Sequence, residues 1–219
     1  MIKNIIFDFD GVLVDSEILV ARSFTKYMHN LGFLFQEKEF SKYAGLKTVQ
    51  VISILAKKFS IEDEKKFYNE IMNIANNIYS DELTTVIGSY EFVQNSKLNL
   101  FIGSNSIKER ILVGLEKVNL DQFFSPCHVY AFDMVKKPKP YPDIYLKVID
   151  DNNLNKDETV IIEDSSVGIK AGVAAEIRVV GITAGGHWFK ERNNKELYDA
   201  GADNVIDSFN KLQPLIESY

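Results

Sequence analysis

Apolar residues along this chain fall into two patterns. Short, largely apolar runs rich in Ile, Val and Phe stand at 5–7, 98–103, 129–131, 159–162 and 177–182. Each is too short for a helix and lacks the alternation of a strand with one wet face, so each predicts a buried strand. Elsewhere apolar positions recur at helical spacing. Ile18, Leu19, Phe24, Tyr27, Met28 and Leu31 predict a helix over 17–31, with Asp15 or Ser16 as its cap and Gly32 as its end. Further helices are predicted over 43–59, 63–79, 88–97, 108–118, 143–150 and 167–175. After the first helix no strand pattern appears until Gly88, so a helical insert of about 65–70 residues, longer than an ordinary connection, precedes a strand–helix alternation. Such alternation implies an α/β fold whose parallel sheet is covered on both faces.

Composition narrows the class. With 219 residues and 46% hydrophobic content the chain can bury a real core, as one domain or one domain plus an insert. Thirty-one acidic against 25 basic residues give a net charge of −6 without any basic block, which argues against nucleic acid as a partner. A single cysteine, Cys127, excludes an internal disulfide and is expected to be a buried small residue; three separated histidines leave no cluster for zinc. The sequence shows neither a signal-peptide pattern nor an apolar stretch that would span a bilayer, so a cytoplasmic protein with no membrane partner is expected.

In parallel sheets of this kind ligands sit at the carboxyl ends of the strands. Asp8 and Asp10 follow the run 5–7 two residues apart, so on an extended chain both face the space beyond the strand end. Two carboxylates there repel one another unless a cation or a shared proton compensates, and a hard ion such as Mg2+ suits a site with few oxygen ligands. The same residues with Gly11 also suit a plain turn. Ser104-Asn105-Ser106 closes the next strand and could equally cap the following helix. Glu163-Asp164 closes the strand at 159–162 and could also be a favourable helix start. Lys139 lies in a loop stiffened by Pro138, Pro140 and Pro142, and taken alone reads as a solvated charge.

Taken together, these segments carry a resemblance. Asp8-Phe9-Asp10-Gly11-Val12-Leu13-Val14-Asp15, Ser104-Asn105-Ser106, Lys139-Pro140-Tyr141-Pro142-Asp143, and Glu163-Asp164-Ser165 with Gly168, Ala171 and Gly172 occur in that order. They resemble the four motifs of the haloacid dehalogenase superfamily of phosphohydrolases, in its β-phosphoglucomutase-like branch; Pro138 departs from the usual glycine. The resemblance implies a Rossmann-like core of residues 1–15 and 86–219 with an inserted helical cap of residues 16–85. It implies Asp8 as the nucleophile that becomes an aspartyl-phosphate, and Asp10 as general acid and base. Ser104, Asn105 and Lys139 would bind the phosphoryl group. Mg2+ would be held by Asp8, the Asp10 carbonyl and Asp164, with Glu163 directly or through water. In the cap, Gly45, Lys47 and Thr48 would meet the leaving group, although Lys47 also suits an exposed helix position.

The implied activity is hydrolysis of small phosphorylated metabolites, sugar phosphates in particular, by a monomer or weak homodimer. The segments 45–47 and 80–83 are similar to those of 6-phosphogluconate phosphatases. A β-phosphoglucomutase is the alternative, but such mutases carry a cap histidine where this chain has Val20 and an arginine near Thr48. A phosphorylation-dependent receiver domain shares the Asp, hydroxyl and lysine but has no helical insert after its first acidic pair. A haloalkanoate dehalogenase is a nearer alternative, but it needs no metal and lacks the second aspartate that Asp10 supplies here. His187 could reach the site entrance, though a surface or packing role is the plainer expectation, and Trp188 is expected to pack against a neighbouring helix.

Overall fold

The computed structural model describes residues 1–43, 48–190 and 192–219, the side chain of Ser41 excepted. Six strands form one parallel sheet: β1 (Asn4–Phe7), β2 (Asn99–Ser104), β3 (Val129–Ala131), β4 (Thr159–Glu163), β5 (Arg178–Ile182) and β6 (Asn204–Ile206). Their order is β3-β2-β1-β4-β5-β6. Ile5 lies opposite Leu100 on one side and Val160 on the other, so β1 is central. The order runs one way from β1 to β3 and the other way from β4 to β6, and the crevice between such halves is where ligands bind in open α/β sheets.

The unbroken apolar runs follow from burial on both faces. Ile5 and Phe7 join one core layer with Ile102, Val160 and Ile162, while Ile6 joins the other with Phe101, Ile161 and Val179. Helices α1 (Ser16–Asn30), α2 (Thr48–Phe59) and α3 (Glu64–Glu82) form a third cluster of their own. Its aromatic centre includes Phe67 stacked on Tyr27, ring centroids 4.8 Å apart. Fully burying such a side chain contributes about 1.5–3 kcal/mol. Ile18, Leu19 and Ala21 of α1 pack on the sheet layer, and Phe24, Tyr27 and Met28 pack in the helical layer, so this helix carries the chain from one core to the other. The remaining helices, α4 (Ser89–Asn95), α5 (Lys108–Lys117), α6 (Asp143–Asn152), α7 (Ser166–Ala174), α8 (Lys195–Asp199) and α9 (Leu212–Glu217), complete the chain. Among the described residues no helix is long and apolar enough to cross a membrane.

Three local expectations change. Asp15 does not cap α1: its carboxylate accepts the Gly186 N–H at 2.9 and 3.1 Å, and the Ser16 hydroxyl donates to Asp10. Cys127 is exposed, because it sits in a 3-10 turn, Pro126–His128, and Val129 takes the buried place that follows. The third helix begins after Asp63, whose carboxylate caps the Lys66 N–H at 2.8 Å, and runs on to Glu82. Its apolar stripe continues to Ile78 and then Leu83, which fix its last turn against the sheet layer.

Candidate active site

The carboxyl ends of β1, β2 and β4 open into a cleft of about 390 Å3, lined by Asp8, Asp10, Ser104, Lys139, Glu163 and Asp164 among others. Asp8 continues the ladder beyond β1, its N–H donating to the Ile162 carbonyl at 2.9 Å, which sets its side chain beside the end of β4. The Lys139 ammonium lies between two carboxylates, 2.7 Å from Asp8 Oδ1 and 2.6 Å from Glu163 Oε1. Asp8 is 8% exposed, Lys139 6% and Glu163 fully buried, so these are ion pairs shielded from water.

Both oxygens of Glu163 are engaged. Oε1 also accepts the Tyr145 hydroxyl at 3.0 Å, and Oε2 accepts the Asp164 and Ser165 N–H groups, both at 3.0 Å, and the Ser165 hydroxyl at 2.9 Å. Asn105, expected at the phosphate, spends its amide on the lysine loop: Oδ1 accepts the Lys139 N–H at 2.9 Å and Nδ2 donates to the Lys139 carbonyl at 3.2 Å. The proline-rich loop is thereby held from β2, and the lysine reaches the site with Pro138 in place of glycine. Ser104 is buried, with Oγ accepting the Ser106 N–H at 3.1 Å.

The Asp10 carboxylate is held by three donors. The Ser16 hydroxyl at 2.6 Å and Arg110 at 3.3 Å meet Oδ1, and the Ser106 hydroxyl meets Oδ2 at 2.5 Å. Gly11 follows with φ +79°, a backbone geometry that glycine adopts without strain. His187 Nε2 lies 2.9 Å from Asp164 Oδ2, so this residue belongs to the site itself. Trp188 packs against the second core layer under the Arg192 guanidinium, 3.7 Å from its ring centroid.

The site is short of positive charge. Burial pushes the Asp8 carboxyl well above the usual range, with Glu163 and Asp164 adding to the rise and Lys139 opposing it. Asp164 is raised by burial and then by Glu163. Burial works against the Lys139 ammonium, but Asp8 and Glu163 outweigh it and hold its pKa well above the ordinary lysine value. His187 is pushed down to about 4 by burial, so at neutral pH the ring that lies against Asp164 is uncharged. Asp8, Glu163 and Asp164 each offer a carboxylate oxygen within 4.8 Å of the others. Three buried carboxylates sharing one ammonium fit a hard divalent cation such as Mg2+, which favours an all-oxygen donor set.

Asp8, Asp10, Ser104, Asn105, Lys139, Glu163 and Asp164 all line this cleft. Thr48 opens α2 and does not line it, and Gly45 and Lys47 lie outside the described residues. Ser16, Arg110, Tyr145 and His187 were not singled out for the roles they hold here. Ser16 had a local signal as a candidate cap directly after the first motif, and His187 as a residue that could reach the site entrance.

Gly168 has a packing reason. A Cβ there would overlap the Glu163 carboxylate, which its other partners hold in place. Gly168→Ala is expected to destabilise the protein by about 1–3 kcal/mol, the usual cost of overpacking, and to lower activity by displacing Lys139. Thermal unfolding and steady-state rates check both.

A central parallel sheet with acidic residues and a lysine gathered at its carboxyl edge is the arrangement expected of a hydrolase of the haloacid dehalogenase class. Residues 5–182 match the haloacid dehalogenase-like hydrolase family, and the chain belongs to it. It is 28% identical to a phosphorylated carbohydrates phosphatase of Thermotoga maritima over 93% of this chain and 94% of that one. It is 22% identical to a 6-phosphogluconate phosphatase of Escherichia coli over 85% of each. A hydrolase of this family from Deinococcus radiodurans, solved with bound phosphate and sodium, superposes with a TM-score of 0.87 at 25% identity, covering 99% of this chain and 96% of that one.

Proposed function

We propose that the protein is a Mg2+-dependent phosphatase of small phosphorylated metabolites, sugar phosphates in particular, working through an aspartyl-phosphate in the cytoplasm as a monomer or weak homodimer. The observation that carries this reading is the Lys139 ammonium bridging Asp8 and Glu163 in the cleft that also holds Asp10, Ser104 and Asp164.

An Asp8 carboxylate oxygen attacks phosphorus, and the bond to the departing alcohol breaks. Asp10 gives that alcohol its proton, then takes one from the water that attacks the aspartyl-phosphate, releasing inorganic phosphate and restoring Asp8. The hydroxyls of Ser16 and Ser106 fix Asp10 for both transfers. Lys139, with Ser104 beside it, meets the charge that spreads over the phosphoryl oxygens. Asp8 and Asp164 would hold Mg2+, with the Asp10 carbonyl and Glu163 nearby. Bound there, the ion would supply the neutralisation that lets an anionic nucleophile approach an anionic ester.

Residues 16–85 serve as the cap in this reading, with Phe40 and Glu17 presented to the cleft from that side. Hydrolysis is favoured over mutase chemistry by Val20, which packs against the helical core at the position where mutases carry histidine. The names of the relatives support carbohydrate phosphates as the class of substrate.

A panel of phosphate esters with and without Mg2+ tests this. Steady release of inorganic phosphate that needs the ion, fastest with sugar phosphates, is expected. Isomerisation of glucose 1-phosphate primed by a bisphosphate, with little net phosphate, would select the mutase instead.

A further inference from the structure

We propose that His187 is a positioning residue for Asp164, holding one carboxylate oxygen so that the other is presented to the cation; the inference rests on the phosphatase reading above. Four observations converge on it. The imidazole is well buried, its side chain 11% exposed, with Nε2 2.9 Å from Asp164 Oδ2. Its other nitrogen, Nδ1, finds no hydrogen-bond partner among the described residues, so the approach to Asp164 is the ring's close polar contact there.

Two glycines make the contact sterically possible. A Cβ on Gly11 would overlap Asp164 Oδ2 and come within 3.0 Å of His187 Cε1. A Cβ on Gly185 would lie 2.8 Å from both Cε1 and Nδ1 of the same ring. Neither position tolerates a side chain while the pair is formed. The loop carrying the ring is also pinned from the first motif, by the Gly186 N–H donating to Asp15 at 2.9 Å. It closes on itself through the Trp188 N–H to the Gly185 carbonyl at 3.0 Å. This explains why Asp15 anchors a distant loop and leaves the helix beside it uncapped.

A carboxylate with one oxygen held against a buried ring nitrogen 2.9 Å away gives up on folding a rotation that it would otherwise lose on binding metal. Partners of this kind govern metal affinity by about 10- to 100-fold. His187→Ala is therefore expected to weaken Mg2+ binding by about 10-fold or more, read by calorimetric titration and by the Mg2+-dependent rise in Tm. The Mg2+ concentration for half-maximal phosphate release should rise in parallel, while KM for the ester at saturating Mg2+ changes far less.

His187→Gln, whose amide N–H reaches the place of Nε2, should recover most of the affinity, and His187→Asn, one bond shorter, should not. That pair carries the test if the alanine variant fails to fold. Unchanged Mg2+ affinity in His187→Ala, or equal affinities in the Gln and Asn variants, overturns the inference while leaving the phosphatase reading intact. Mg2+-independent turnover by the unaltered protein overturns both.

Discussion

Asp8→Asn is expected to remove turnover of every phosphate ester, by at least about 10^4-fold, with the fold retained. The amide is nearly the same shape as the carboxylate but is a poor nucleophile, so the first displacement fails while binding in the cleft persists. Stability should change little. Burial already disfavours the Asp8 charge, as its raised pKa shows, and Lys139 keeps Glu163 as its counter-ion at 2.6 Å. Steady-state rates at saturating Mg2+, set beside thermal unfolding of the same preparation, check both halves. Turnover within an order of magnitude of the unaltered protein would place the nucleophile elsewhere and remove the aspartyl-phosphate from the scheme.

The site was legible in the sequence wherever chemistry sits at a strand end. Apolar runs buried on both faces are recognisable without knowing their partners, and the residue after each is directed to the carboxyl edge by the parallel topology alone. Asp8, Ser104, Glu163 and Asp164 were found in this way. Lys139 was not, because the loop carrying it has no periodicity; only its motif context selected it, and the Asn105 amide that holds it could not be foreseen.

Local pattern misled where a distant partner competes. The Asp15 carboxylate had an adjacent helix to cap, but Gly186 lies 171 residues on and takes it instead. His187 reads more readily as a surface or packing residue than as one at the site, because nothing nearby signals that Gly11 and Gly185 clear a path to Asp164. Cys127 looked buried because cysteine commonly is, whereas the short turn before β3 leaves it at the surface. Periodicity reports which face a residue takes and is silent on which residue meets it there.

Lys139→Met is expected to cost both activity and stability. The methionine fills similar volume but leaves the Asp8 and Glu163 carboxylates facing one another without the ammonium, and breaking a buried pair in this way typically costs about 3–5 kcal/mol. Loss of a charged contact to the transferring phosphoryl group adds a fall in kcat of about 10^2–10^3-fold. The sign of the pH dependence separates this account from simple loss of packing. Lys139 opposes the burial-driven rise of the Asp8 pKa, so removing it raises that pKa further. A carboxyl whose folded pKa lies above its unfolded one contributes stability below the unfolded value, and the contribution is lost as pH rises through the folded one. In metal-free buffer the stability deficit of Lys139→Met should therefore be largest near pH 8 and shrink as pH falls towards 5, measured by denaturant unfolding at each pH. A packing defect alone would leave the deficit constant across that range. Mg2+ should narrow the deficit at neutral pH by supplying the missing positive charge, while kcat stays low, because the ion cannot take the place of the ammonium between Asp8 and Glu163.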